Sequence, residues 1–250
     1  SAGIPDEDVE QTIQHADTAL YIAKREKNRI TVYSADMDQT KTRETILESD
    51  MKFALEQNQF ELYYQPIYDV KKEGITQAEA LLRWNHPVFG LVLPGEFIPI
   101  AEKTRLIIPI TDWVIRSACE KVKEWEGIGI QGIMVSVNLS FLSFQNRGDE
   151  LTRFITRSIQ ETGIDASSLK LEITESVLIH DTQEVIRVFQ DLKSIGVKLA
   201  LDDFGTGYSS FEYMKDLPLD LMKLDRSLVK DIIMDHKEQM IVASMVTIIH

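Results

Sequence analysis

Apolar and polar residues alternate along this chain in two rhythms, one helical at about 3.6 residues and one strand-like at two. Near the start, Val9, Ile13, Ala16, Ala19, Leu20 and Ala23 recur at helical spacing, and a short β-like run follows at 30–33. One helix and one strand cannot enclose a core of their own, so this piece reads as the end of a unit beginning upstream. Residues 34–44 are polar and read as a linker, and 46–57 as a short amphipathic helix. Period-two runs then predict strands at 60–67 and 75–84, joined by the turn-like Lys71, Lys72, Glu73 and Gly74. Helices are predicted at 96–106 and 111–126. After them strands and helices alternate: 134–139 and 149–162, 170–173 and 183–195, 197–201 and 211–215, 221–224 and 238–249. Gly196 supplies a stop for the helix before it. From the third strand onward each strand precedes a helix, which requires parallel pairing with helical crossovers and predicts an α/β sheet or barrel. Six strands leave an eight-stranded barrel two βα units short. The chain is therefore expected to be clipped at both ends and, with two unpaired edges, to be unstable or to aggregate when expressed alone.

Read at period two, the strands sort their polar residues onto one face. Glu79, Leu81 and Arg83 share a face of the second; Ser136, Asn138 and Ser140 oppose Val135, Val137 and Leu139 on the third. On the fourth, Lys170, Glu172 and Thr174 oppose Leu171 and Ile173; on the fifth, Lys198, Ala200 and Asp202 align, with Asp203 just beyond. Lys223 and Asp225 follow on the sixth. One such residue is ordinarily a solvated strand end, and Asp202-Asp203 alone equally describes a helix cap. Five successive strands doing the same converge on one mouth of an α/β barrel, where active sites lie. Glu79, Glu172, Asp202 and Asp203 gathered there would repel one another unless cations or protons neutralised them.

Composition narrows the chemistry. Forty acidic against 27 basic side chains give a net charge of -13, which opposes binding to bulk nucleic acid but not to a small phosphate ester whose charge metal ions offset. The single cysteine, Cys119, excludes an internal disulfide and suits a reducing, cytoplasmic setting. No stretch approaches a membrane span of roughly 18 apolar residues, and no leader peptide opens the chain. Carboxylates with an amide oxygen suit Mg²⁺ or Mn²⁺ better than Zn²⁺. His15, His86, His180, His236 and His250 show no metal-ligand spacing, and His86 reads as a loop residue of an Asn-His-Pro turn. Adjacent aspartates suit two metals clamping a phosphoester; Lys223 would orient or deprotonate a water, and Arg83 would hold a phosphate oxygen.

Glu79-Ala80-Leu81, within AEALLRW, resembles the motif that names the EAL family of cyclic di-GMP phosphodiesterases. The likeness continues through YYQPI (63–67), PGEFIPIAE (94–102), VNLS (137–140), LEITES (171–176), LDDFGTGYSS (201–210) and LMKLDRSLVKDI (221–232). It implies a modified (β/α)8 TIM-type barrel with its first strand antiparallel, and hydrolysis of cyclic di-GMP to linear pGpG with two Mg²⁺ or Mn²⁺ ions. By the same resemblance Glu79, Asn138, Glu172, Asp202 and Asp203 are metal ligands, with Lys223 on the water. Arg83, Gln65 and Asp225 contact substrate, and Glu175 supports the metal site. The loop Phe204, Gly205, Thr206, Gly207, Tyr208 and Ser209 resembles the segment coupling dimerisation to metal binding, and a homodimer is expected.

ADTALYIAKREKNRITVY (16–33) resembles the end of a GGDEF domain, without that cyclase's active-site motif and with Lys27 where glycine is usual. The expected domains are thus 1–36 (GGDEF-like remnant), 37–48 (linker and helix start) and 49–250 (EAL domain), in a parent compatible with a membrane tether upstream. Two departures stand out: the family's later acidic EGVE motif does not occur before His250, and Arg105 occupies a position where the family usually has glycine. The competing function is a catalytically silent EAL domain that binds the dinucleotide or a partner. Asp203-Phe204-Gly205 also matches a kinase magnesium motif, but the rest of the kinase set is missing.

Overall fold

The computed structural model describes residues 9–25, 30–143, 145, 147–174, 182–205 and 217–249. Strands β1 (Phe60–Asp69) and β2 (Gly74–His86) form an antiparallel hairpin. Then β4 (Met134–Asn138), β5 (Leu169–Thr174), β6 (Lys198–Phe204) and β7 (Leu221–Leu224) add in turn, each parallel to the last. The short β3 (Gly90–Val92) pairs with the end of β2. Among the described residues the path is β1-β2-β4-β5-β6-β7, an open sheet with its first strand reversed.

Helices α3 (Pro94–Lys103), α4 (Ile107–Gly127), α5 (Gly148–Thr162) and α6 (Thr182–Ser194) cover the aliphatic face of the sheet. Ala80, Trp84, Val135, Val137, Leu171 and Leu199 meet Ile115, Ala118, Ile155 and Phe189 in one core. Beyond β7 the short α7 (Arg226–Val229) precedes α8 (His236–Ile249). Among the described residues these helices pack on the aliphatic face, and the opposite face carries the polar residues that gather at the mouth.

Several local expectations change. Residues 30–33 form no strand. A β-like run needs a partner edge, and among the described residues none pairs there. Following α1 (Val9–Arg25), the segment read as a linker belongs to α2, which runs unbroken over Ala35–Ala54. Its Gln, Lys, Arg and Glu residues are good helix formers, Asp36 and Asp38 suit the first turn, and Leu47, Met51 and Ala54 bury one face. The helix read at 96–106 starts two residues earlier and ends at Lys103, and after a turn containing Arg105 the helix read from 111 starts already at Ile107.

His86 is no loop residue. It ends β2 with its side chain fully buried. Its Nδ1 accepts from the Val88 and Phe89 N–H groups at 3.1 and 3.2 Å, so Nε2 carries the proton donated to Asp50 Oδ2 at 3.1 Å on α2. The helix expected at 211–215 lies outside the described residues.

Candidate active site

β2, β4, β5, β6 and β7 each bring a polar group to the mouth. Lys223 Nζ on β7 lies 2.7 Å from Glu172 Oε2 on β5, 2.9 Å from Asp202 Oδ2 on β6 and 3.3 Å from Glu79 Oε2 on β2. Asn138 Nδ2, at the end of β4, donates to Glu79 Oε1 at 2.8 Å. The parallel register produces this meeting: Asn138 pairs with Glu172, and Thr174 with Asp202. Glu172 is buried, whereas the other partners keep an opening to solvent. Burial pulls the Lys223 pKa down, but hydrogen bonds to Glu172 and Asp202 and the charges of Glu172 and Glu79 outweigh it, so its pKa is raised.

Strict alternation would point Asp203 away from Asp202. The β6–β7 register shifts between Leu201 and Phe204: Leu201 pairs with Met222 and Phe204 with Leu224, so both aspartates face the single Lys223. This is a β-bulge. It leaves Asp203 in the left-handed region at φ 55, a conformation aspartate tolerates better than most residues, with its N–H donating to Asp202 Oδ1 at 2.9 Å. Desolvation and the neighbouring charges of Asp202 and Asp225 raise the Asp203 pKa against the pull of Lys223.

The remaining candidates are placed less uniformly. Because β1 is reversed, its first half lies beside the mouth, and Gln65 stands opposite Glu79 in an exposed position. Arg83 donates to the Leu82 carbonyl at 2.9 Å and sits 5.4 Å from the centre of the Tyr63 ring. Asp225 caps α7, accepting from Ser227 N–H at 2.7 Å and from the Ser227 hydroxyl; those bonds lower its pKa. Phe204 is buried and Gly205 adopts φ 101. Glu175, Thr206, Gly207, Tyr208 and Ser209 lie outside the described residues.

Beside Asn138 opens a cavity of about 670 Å³, walled by Leu81, Ile98, Ile110 and Phe141 and edged by Glu102 and Ser140. Ser140 Oγ donates to Glu102 Oε1 at 2.6 Å, tying α3 to the end of β4. Sequence reasoning passed over this latch, and over Lys170, whose side chain is buried against Glu172. The alternation that marked Glu172 also marked Lys170, two residues earlier on the same face.

The EAL domain family pattern matches residues 48–250. The chain belongs to the EAL domain family. The bifunctional diguanylate cyclase/cyclic di-GMP phosphodiesterase MucR of Pseudomonas aeruginosa is 36% identical over 94% of this chain and 34% of its own length. The cyclic di-GMP phosphodiesterase NbdA of the same organism is also 36% identical, over 90% of this chain and 29% of its own. The chain thus spans about a third of these relatives. Among solved structures, the PaMucR phosphodiesterase in complex with c-di-GMP superposes with a TM-score of 0.75 at 37% identity, covering 81% of each chain. The c-di-GMP-bound FimX EAL domain of P. aeruginosa gives 0.72 at 25% identity, covering 80% of this chain and 79% of its own. The EAL fold is thereby shared with this chain, in which β1 runs antiparallel to β2 and β2, β4, β5, β6 and β7 are parallel.

Proposed function

We propose that this EAL domain is a metal-dependent phosphodiesterase that hydrolyses cyclic di-GMP to linear pGpG in bacterial second-messenger signalling. The observation that carries the reading is the convergence of Glu79, Glu172 and Asp202 on Lys223, from four strands, beside Asn138. Among the described residues no three His, Cys, Asp or Glu side chains form a ready metal cage, and Glu79, Glu172 and Asp202 each contact the Lys223 ammonium. The donor set nevertheless fits a hard cation. It is all oxygen, and it is acidic beyond what the lysines balance, with Glu79, Glu172, Asp202 and Asp203 set against Lys223 and Lys170. Glu79, Asn138, Glu172, Asp202 and Asp203 would hold two Mg²⁺ or Mn²⁺ ions. When bound, such ions polarise a phosphoryl oxygen and acidify a water.

The chain's own groups do the rest. Lys223, with three N–H donors on one compact charge, orients the attacking water toward the phosphorus. Arg83 and Gln65, at the rim, hold phosphate and ribose oxygens. Asp225 would reach substrate through Oδ2, since Oδ1 caps α7. Glu175 supports the metal ligands, and the segment from Phe204 to Ser209 links them to a homodimer interface. In this proposal residues 1–36 end a GGDEF-like unit, 37–48 connect, and 49–250 form the EAL domain of a cytoplasmic enzyme region.

The test is turnover by the full-length protein. Chromatography should show Mn²⁺-dependent conversion of cyclic di-GMP to pGpG, abolished by EDTA and lowered at least about a hundredfold in Lys223→Met. Tight cyclic di-GMP binding with no product under any metal would identify a receptor domain instead.

A further inference from the structure

Below the mouth a second lysine is buried. Lys170 is 2% exposed on β5, two residues before Glu172 on the same face. Its Nζ donates to Gln77 Oε1 at 2.7 Å and stands 3.2 Å from Glu172 Oε1. Lys223 takes the other oxygen, Oε2, at 2.7 Å. Glu172 therefore lies between two ammonium groups, one on each oxygen. The two contacts differ in kind. Lys223 makes a hydrogen bond, whereas Oε1 accepts none, so Lys170 acts there as a point charge and spends its directed bond on Gln77. Gln77 precedes Glu79 by two on β2, as Lys170 precedes Glu172 on β5, so the pair forms one layer beneath the ligands.

We propose that Lys170 is a positioning residue that keeps Oε1 of Glu172 out of the ligand set, so that Glu172 presents a single oxygen to a divalent ion. The proposal rests on the reading of this mouth as a metal site. Two consequences pull in opposite directions. A buried positive charge beside a ligand weakens cation binding, because it neutralises part of what the ion would neutralise. The same charge fixes the carboxylate, and groups behind metal ligands typically affect function by about 10–100-fold when removed. Without Lys170, Glu172 is free to take the ion with both oxygens. The ion then binds more tightly in the wrong geometry.

The experiment compares full-length wild type, Lys170→Met and Lys170→Gln by Mn²⁺ calorimetry and by steady-state hydrolysis of cyclic di-GMP. Lys170→Gln retains a polar partner for Gln77 and serves if Lys170→Met fails to fold. Both variants should bind Mn²⁺ about tenfold more tightly while kcat falls about tenfold or more, with KM within about threefold because Lys170 lies beneath the ligands and away from the rim. A merely structural lysine would lower thermal stability alone. Wild-type Mn²⁺ affinity and kcat in a folded Lys170→Gln protein would overturn the proposal. A wild-type protein that takes up no Mn²⁺ overturns the metal-site reading instead.

Discussion

Arg105 adopts φ 62, the left-handed region, immediately after the Thr104 C-cap of α3, with its N–H on the Glu102 carbonyl at 3.1 Å. A side chain there costs roughly 1–2 kcal/mol, which explains physically why glycine suits this position. The Arg105 side chain is exposed. Arg105→Gly should therefore stabilise the protein by about 0.5–1 kcal/mol, the relieved strain less the added freedom of the unfolded chain, as read by urea unfolding. At this scale the residues that meet at the mouth were legible, because alternation along a strand is a local property. Glu79, Asn138, Glu172, Asp202 and Lys223 needed only a count by twos. The bulge was not legible, since the direction of Asp203 depends on Lys223 across the sheet. The bonding of Lys170 depends on Gln77, 93 positions away in sequence.

Among the elements, α2 was misjudged because polar composition reads as linker when its docking partners are remote. Arg43 pairs with Glu96, Lys103 with Glu48 at 3.0 Å, and Asp50 with His86. These contacts set α2 along α3, the helix whose Glu102 borders the cavity. At the far end of the sheet, Asp220 performs a similar office for β7. It accepts from Lys193 on α6 at 2.7 Å, from Lys198 at 3.1 Å and from the Leu199 N–H at 2.9 Å. Burial pushes the Asp220 pKa upward, but those donors outweigh it and hold it below the usual 3.8. A depressed carboxylate contributes stability above its unfolded pKa and loses it as pH falls through the folded value. Asp220→Asn should accordingly unfold at lower urea than wild type at about pH 7, and the gap should close as pH falls below 3.8 and through the depressed folded value.

For the whole molecule, the charge of -13 and the small, oxygen-lined mouth favour a compact anion brought in by cations over a long polyanion. Fluorescence anisotropy should detect no binding to duplex DNA even at about 50 mM salt, where non-specific electrostatic binding is strong. Among the described residues no helix is long and apolar enough to cross a membrane. The α/β class and the order of the strands could be read from the sequence, because each βα unit writes its own pattern. The open sheet path also matches the count of six main strands. The extra strand β3 escaped notice, since three residues are too few to show a period.

The bulge in β6 has a further consequence. A regular strand can offer one side only every second residue, so consecutive acids on it ordinarily serve opposite surfaces. By inserting one residue against β7, this chain turns a two-letter word, Asp-Asp, into two neighbouring groups on the same side. Phe204 meanwhile keeps its place in the core at 1% exposed. Their placement on one side is therefore as much a property of the pairing with β7 as of their identity. Deleting either aspartate would restore regular pairing and keep Phe204 on the core side, but would leave a single carboxylate opposite Lys223.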